Sequence, residues 1–527
     1  DDTSAETIAR TVQYCRGLGK VVIICKDRPG FVVNRFFVPW LNEACLLLQE
    51  GIASAAAIDA VAMKAFRIGM GPFALMNLTG PPIALHSTDY LAEQLETPRY
   101  VGAENLREMV AAGDQWEIGE DVDCSKEAAE TIRVRLLGQV FAVAGQIVDE
   151  EICSLEDVDR GAKVGLRWAR GPFELANRLG IDEAKSMAED YCELANLPVP
   201  EVWKRNKSFD FSYVDLAVEN GIATVTINRP EAMNALNETV VNQLGLALDK
   251  ANSDDSVRTI VLDGAGKAFV AGADVKFFVD KIRADSFSDI YDFTANGHVV
   301  QDKLESSSKT TIALTTGLAL GGGLELALSC DYRIGTRKTQ FRFPETSIGI
   351  FPGLGGTQRP ARISGIPAAR WAVLAGNFMD SKTAADLGLV TNLVDISEVE
   401  STIRTLDSDG KPENKYPGKP ANPDSKVVQF ANSFYSDENI ATVLAGNCPE
   451  GFDSEDKGVS RQMKSLSRTA PIALSLANDL INAAGNTNLS DGLGQELSNL
   501  ETIFSTDDAL EGLSALIEGR KPTYQNS

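Results

Sequence analysis

The sequence predicts an α/β domain preceded by an all-α unit that occurs twice. Three observations carry this. Residues 58–80 (IDAVAMKAFRIGMGPFALMNLTG) and 158–180 (VDRGAKVGLRWARGPFELANRLG) repeat one another at an offset of 100 residues. Beyond residue 210, short β-branched runs alternate with amphipathic stretches, the order from which layered α/β folds are built. Finally, Gly321-Gly322-Gly323 opens an apolar segment carrying Glu325, 20 residues ahead of Glu345.

Taken in order, residues 4–18 read as a helix and residues 21–25 as a strand, stopped by Asp27-Arg28-Pro29-Gly30. One helix and one strand do not make a domain, so residues 1–29 look like the tail of one. In the duplicated part, Phe36, Phe37, Trp40, Leu41 and Leu47 recur at helical spacing. Gly71/Gly171, Pro72/Pro172, Phe73/Phe173, Leu75/Leu175, Asn77/Asn177 and Gly80/Gly180 coincide in the two copies, placed at 30–122 and 123–207. Arg35/Arg135 and Ser54/Ser154 align upstream, and residues 206–210 are the expected junction.

In the α/β part, residues 213–218 and 222–227 flank Glu219-Asn220-Gly221, a hairpin signal. Residues 239–251 form an amphipathic helix, 259–263 and 311–315 apolar strands, and 313–320 the strand that enters the glycine turn. The core of this domain is expected over 208–400. Pro, Gly, Asp and Lys crowd residues 401–427, which read as a linker, and helices fill 428–527, one of them begun at Ala470-Pro471.

Composition bounds the function. A chain of 527 residues has room for about three or four domains, and its 44% hydrophobic and 24% charged content is that of ordinary globular protein. A net charge of −24 argues against nucleic acid or an anionic membrane as the main partner. Cys15, Cys25, Cys45, Cys124, Cys153, Cys192, Cys330 and Cys448 form no CxxC pair, and His86 and His298 are the only histidines, so no metal site is expected. This cysteine usage fits a reducing, cytoplasmic location, and no signal peptide opens the chain. The membrane-like run 311–330 holds four glycines and Glu325, and reads as strand, turn and buried helix.

The chemistry is expected at the glycine turn. Without Cβ atoms, residues 321–323 let a ligand carbonyl approach the backbone closely. The Gly322 amide would be an unpaired donor at a helix N-terminus, where the helix dipole also favours negative charge. Ala271-Gly272-Ala273-Asp274 has the same strand-to-helix context, and two such donors would make an oxyanion hole. Glu325 interrupts the apolar run LELAL, where a carboxylate is out of place unless paired or functional. Glu345 follows Phe343-Pro344. Either glutamate alone also reads as a helix-dipole cap; the conjunction points to an acid and a base.

Four segments in order, INRPEAMNALN (227–237), GKAFVAGADVK (266–276), TGLALGGGLELALSCDYRI (316–334) and QFRFPETSIGIFPGLGGTQR (340–359), resemble the enoyl-CoA hydratase (crotonase) family. The resemblance is dense over 210–395 and weaker through 470–481 and 509–522. It implies the crotonase-like β-β-α spiral. It implies that the Ala273 and Gly322 amides hold the thioester oxygen of an acyl-CoA and that Glu325 and Glu345 are the catalytic pair. Ala235, Ala271, Asp274, Val275, Lys276 and Gly321 are implied as substrate- or CoA-binding residues. Because both glutamates are kept, hydration of trans-2-enoyl-CoA to (S)-3-hydroxyacyl-CoA by syn addition is implied, without a cofactor and on a trimer-based homo-oligomer. Double-bond isomerisation and a catalytically silent CoA-binding or assembly module are the alternatives. Gly519 stands where the family would place a basic residue on the CoA phosphate, and Arg520 or Lys521 is the expected substitute.

KDRPGFVVNRFFVPWLNEA (26–44), GMGPFALMNLTG (69–80) and ARGPFELANRLG (169–180) resemble the C-terminal domain of 3-hydroxyacyl-CoA dehydrogenases, duplicated as in bifunctional beta-oxidation proteins. Residues 1–29 then look like the last helix and strand of that family's Rossmann NAD domain, and Asn34 matches an asparagine of its active site. The family's catalytic His–Glu pair would lie ahead of this sequence; His86 and His298 read as structural. Residues 69–74 are a formal GxGxxA, but they lie between helical segments and carry a proline, so no dinucleotide is expected there. NAD is implied for the parent protein, and no dehydrogenase activity is expected of these 527 residues alone.

Overall fold

The computed structural model describes residues 3–120, 122–204 and 207–527. It divides into two compact units, residues 21–212 and residues 213–527 grouped with the N-terminal segment up to residue 20. Asn206, at the expected junction, lies outside the described residues.

In the 21–212 unit the repeated residues explain one another. Ser54 caps helix Ala55–Phe66 through the Ala57 amide at 3.1 Å, and Ser154 caps helix Leu155–Arg160 through the Asp157 amide at 3.2 Å. Helices Pro72–Thr79 and Pro172–Leu179 begin on a proline, which has no amide to satisfy. The next two amides go to a buried aspartate: Phe73 and Ala74 to Asp59 at 2.8 and 3.0 Å, and Phe173 and Glu174 to Asp159 at 2.8 Å each. A Cβ on Gly71 or Gly171 would overlap that aspartate, which is why both copies keep glycine. Asn77 exchanges hydrogen bonds with the Trp116 backbone and Asn177 with that of Phe209. Ion pairs cross between the copies, Arg35 to Glu150 and its counterpart Arg135 to Glu50.

Helix Lys126–Asp149 is long and apolar enough to span a bilayer, but 67% of its apolar window is buried in this unit, as suits a core helix. Residues 69–74 are a helix start whose Phe73 and Ala74 amides Asp59 already occupies, so a dinucleotide phosphate does not fit there. The expected strand at 21–25 does not form. Ile23 and Cys25 pack on the helical core and the Lys26 amide donates to Ile152 O at 2.9 Å, but among the described residues no strand runs alongside to complete a ladder. Helix Ala5–Gly17 forms as read.

The 213–527 unit opens with β1 (Val214–Glu219) and β2 (Ile222–Ile227), an antiparallel hairpin turned by Asn220 and Gly221, both at positive φ. Helix Glu238–Ser253 precedes β3 (Thr259–Gly264) and β4 (Ala268–Ala271). Then come β5 (Thr310–Thr315), β6 (Leu318–Leu320), β7 (Tyr332–Gly335), β8 (Gln340–Arg342), β9 (Met379–Asp380) and β10 (Asn392–Leu393). Among the described residues they make two sheets, ordered β1-β2-β3-β5-β7-β10 and β4-β6-β8-β9. The consecutive pairs β3/β4, β5/β6 and β7/β8 each place one strand in either sheet, with helices following β4 and β6: this is the expected β-β-α spiral.

Two local readings change. Residues 313–320 are not one strand; the chain leaves the first sheet at Thr315 and re-forms as β6 in the second. Residues 401–409 are not linker but the body of helix Val399–Asp409, because Val399, Ile403 and Leu406 bury against Val261, Ile312 and Ile334. The C-terminal helices run from Lys426–Phe434 to Asp507–Glu518, one of them starting at Pro471.

Candidate active site

The triple glycine lies where β6 runs into helix Gly322–Leu328. Gly321 has φ 45°, and a Cβ there would overlap Glu345 Oε1; one on Gly323 would overlap Val270 O. The turn is therefore packed on both sides and admits no larger residue. The Gly322 amide is among the orphan donors of a helix start.

β4 pairs in parallel with β6, Ala271 opposite Leu320, so the Ala273 segment and the glycine turn leave neighbouring strands at the same end. Ala273 also forms an isolated parallel bridge with Leu236. There Leu236 N donates to Gly272 O at 2.9 Å and Asp274 N donates to Leu236 O at 2.8 Å. Alternation along an extended chain turns the intervening Ala273 amide away from Leu236. Among the described residues, neither the Ala273 nor the Gly322 amide is taken by another backbone group.

Both glutamates flank this turn. Glu325, 2% exposed, accepts the Leu354 and Gly356 amides on Oε1 at 2.8 and 2.7 Å. A Cβ built on Gly322 would stand 3.9 Å from its Oε2. Burial pushes the Glu325 carboxyl up to about 7, while the two amides and the Arg359 guanidinium pull the other way. Glu345 begins the short turn Glu345–Ile348, and its Oε2 is buried without a hydrogen-bond partner among the described residues. Burial, and next the charge of Glu325, raise this carboxyl well above the usual range, against its own amide and Arg342. Loop amides reach one carboxyl and leave Oε2 of the other without a partner among the described residues, so the two differ in proton affinity, the inequality that an acid–base pair needs.

The surrounding shell is rigid. Arg359 is buried and donates to Glu305 at 2.7 Å, Gln301 at 3.0 Å and Leu354 O at 2.9 Å. Glu496 is buried too, accepting the Gly355 amide at 2.6 Å and the Thr357 amide at 3.1 Å. His298 donates from Nε2 to Gly353 O at 2.8 Å, and burial depresses it to about 4, so it is neutral and holds the loop. His86 is exposed in the other unit.

Of the other expected residues, Ala271 ends β4, Asp274 caps helix Val275–Arg283, which starts at Val275, and Lys276 pairs with Asp280. Ala235 O accepts from Arg229, whose guanidinium also lies 3.7 Å from Asp274. Arg520 does not stand free: it is bound bidentately by Glu511 at 2.6 and 2.7 Å and also by Glu518. Lys521 is exposed, and Asn34 is exposed near the start of helix Val33–Gln49. Sequence reasoning missed the parts supplied by Leu354, Gly356, Arg359 and Glu496. The signals were a glycine-rich run at 353–356 and a carboxylate on the apolar stripe of Leu493 and Leu500.

A family model described as "Enoyl-CoA hydratase/isomerase" matches residues 222–527. One described as "3-hydroxyacyl-CoA dehydrogenase, C-terminal domain" matches residues 30–117 and again 132–206, once on each copy of the repeat. A probable enoyl-CoA hydratase, echA8, of Mycobacterium bovis is 30% identical over 315 residues, covering 59% of this chain and 98% of the relative. A short-chain-enoyl-CoA hydratase of Clostridium acetobutylicum is 29% identical over 59% of this chain and 97% of its own. A crotonyl-CoA hydratase of Syntrophomonas wolfei is 36% identical over 37% and 74%. Among solved structures, an enoyl-CoA hydratase from Rhodobacter sphaeroides superposes with a TM-score of 0.52 at 23% identity, covering 60% of this chain and 92% of that one, a likeness of fold. With the β-β-α spiral, the glycine turn and the paired carboxyls in place, the chain belongs to the enoyl-CoA hydratase/isomerase family, fused behind a duplicated dehydrogenase C-terminal domain.

Proposed function

We propose that this protein adds water across trans-2-enoyl-CoA to give (S)-3-hydroxyacyl-CoA by syn addition, with an acyl-CoA substrate and no cofactor at this site. The observation that carries this is the unequal pair of buried carboxyls beside one glycine turn. The thioester oxygen takes the Ala273 and Gly322 amides. Ionised Glu325, fixed by Leu354 and Gly356, removes a proton from water as its oxygen bonds to C3. Charge collects on the thioester oxygen, where each amide donor contributes about 3 kcal/mol to the transition state. Glu345, which keeps its proton because a second charge beside Glu325 is unfavourable, delivers it to C2. One proton enters through Glu325 and one leaves from Glu345, so the pair returns to its starting state by exchange with solvent.

Loss of the conjugated thioester absorbance of crotonyl-CoA tests the reading; no loss with the intact chain rejects it. Incubation with a 3-enoyl-CoA separates hydration from isomerisation, which incorporates no water. Ala235, Ala271, Asp274, Val275, Lys276 and Gly321 supply the CoA-facing surface, with Lys521 in place of the engaged Arg520 for the phosphate. The assembly is a trimer-based homo-oligomer, which sedimentation measures directly. NAD belongs to the dehydrogenase family whose C-terminal domain is duplicated here, and the formal GxGxxA at 69–74 is a carboxylate-capped helix start.

A further inference from the structure

The loop 354–357 lies between two buried carboxylates that take its amides alternately. Leu354 and Gly356 donate to Glu325, while Gly355 at 2.6 Å and Thr357 at 3.1 Å donate to Glu496, which also takes the Thr357 hydroxyl. Glu496 comes from helix Leu489–Ser498, far along the chain, and is fully buried. The loop is a tight turn, with Gly355 at φ 92° and the Gln358 and Arg359 amides returning to Gly355 O, and it presents the 355 and 357 amides to Glu496 and the 354 and 356 amides to Glu325. Holding 355 and 357 therefore fixes the turn from which 354 and 356 donate. Arg359 closes the arrangement by holding Leu354 O at 2.9 Å.

We propose that Glu496 is a positioning residue for hydration: by fixing the Gly355 and Thr357 amides it sets the two donors that orient Glu325 and keep it ionised as the base. It does not touch substrate. The inference rests on Glu325 being the base of the proposed reaction. The charged groups facing this pair are Glu345 across the glycine turn and Arg359, with Glu305 beyond the guanidinium. Burial and Glu325 push Glu496 itself up to about 8, opposed by its hydroxyl and amide donors.

The test is Glu496→Asp, which keeps the carboxyl but shortens the reach, so that it cannot hold both amides. The ionisation of Glu325 is read by NMR titration of 13Cδ-labelled glutamate, with its signal identified by its loss in Glu325→Gln, and by the acid limb of kcat on crotonyl-CoA. The expected result is an upward shift of the Glu325 titration by about one unit and a fall in kcat of about fivefold at pH 7, with KM changed less than threefold. Thr357→Val, a milder change, should shift the titration in the same direction by a smaller amount. A purely structural Glu496 would lower thermal stability and leave the titration in place; an unmoved Glu325 signal in folded Glu496→Asp overturns the proposal. If Glu496→Asp does not fold, an unmoved signal in Thr357→Val does so. The NMR titration needs no turnover, so a wild-type protein that fails to hydrate crotonyl-CoA rejects the function while leaving the positioning role to be decided on its own signal.

Discussion

Replacing Glu325 by glutamine should make the protein more stable and nearly inactive. The glutamine Oε1 can still accept both the Leu354 and Gly356 amides, so the packing survives, and only the charge and the basicity go. In the wild type the folded carboxyl is raised from an ordinary 4.5 to about 7. A raised carboxyl favours the fold in its protonated form. Its contribution is fully present below pH 4.5 and is lost as pH climbs through about 7, because the buried site must then hold an anion. A shift of that size corresponds to about 3 kcal/mol at pH 8. Glu325→Gln never ionises, so its unfolding free energy from urea denaturation should exceed that of the wild type at pH 8 by that margin, and the two should converge near pH 4. On the chemical side, removing a general base lowers the rate by about 100- to 10,000-fold. The assays are urea unfolding of the 213–527 unit at several pH values and hydration of crotonyl-CoA at saturating substrate. Equal pH dependence of stability in the two proteins, or a kcat within tenfold of wild type, would refute the reasoning.

Three further outcomes follow from the same structure. The kcat profile should be bell-shaped, falling about tenfold per pH unit below about pH 7 as Glu325 takes up a proton and falling again at high pH as Glu345 loses its own; Glu345→Gln should lose about 100-fold or more in rate together with the alkaline limb. Gly321→Ala should reduce kcat at least about tenfold and destabilise by roughly 1–3 kcal/mol, since it combines φ 45° with a methyl placed on Glu345 Oε1; a fully active alanine variant would contradict the tight turn. Asp59→Ala strands the Phe73 and Ala74 amides and should lower the unfolding free energy of the 21–212 unit by about 1–3 kcal/mol, and Asp159→Ala should do the same in the second copy, both read by urea denaturation followed by circular dichroism.

Local patterns were legible where local physics decides. The hairpin at Asn220-Gly221 needs two positive φ values that these residues tolerate, and it forms as read. The repeated Gly-Pro-Phe is a helix start in both copies, though its partners Asp59 and Asp159 emerged only in three dimensions. Glu325 could be picked out because a carboxylate in an apolar run is costly, and Glu345 joined it through its place after Phe343-Pro344 and the resemblance to the family. Residues 21–25 misled, since a strand is defined by its neighbour and an apolar run does not carry that neighbour with it. Residues 401–409 misled for a related reason: their polar composition hid Ile403 and Leu406, which a sheet face captures together with Val399.

By itself the sequence determined the duplicated helical unit and the alternation of strands and helices, which rest on local spacing; the candidate oxyanion turn and the candidate acid–base pair came from a glycine turn beside an out-of-place carboxylate together with the resemblance to the family. Only the tertiary structure decided which carboxyl gives up its proton more readily. That choice depends on the Leu354 and Gly356 amides reaching Glu325 and not Glu345, and on Glu496, 171 residues beyond Glu325, holding the loop that presents them. The proton affinity of a buried carboxyl is set by which donors and charges surround it, and those surroundings exist only after distant segments have packed together.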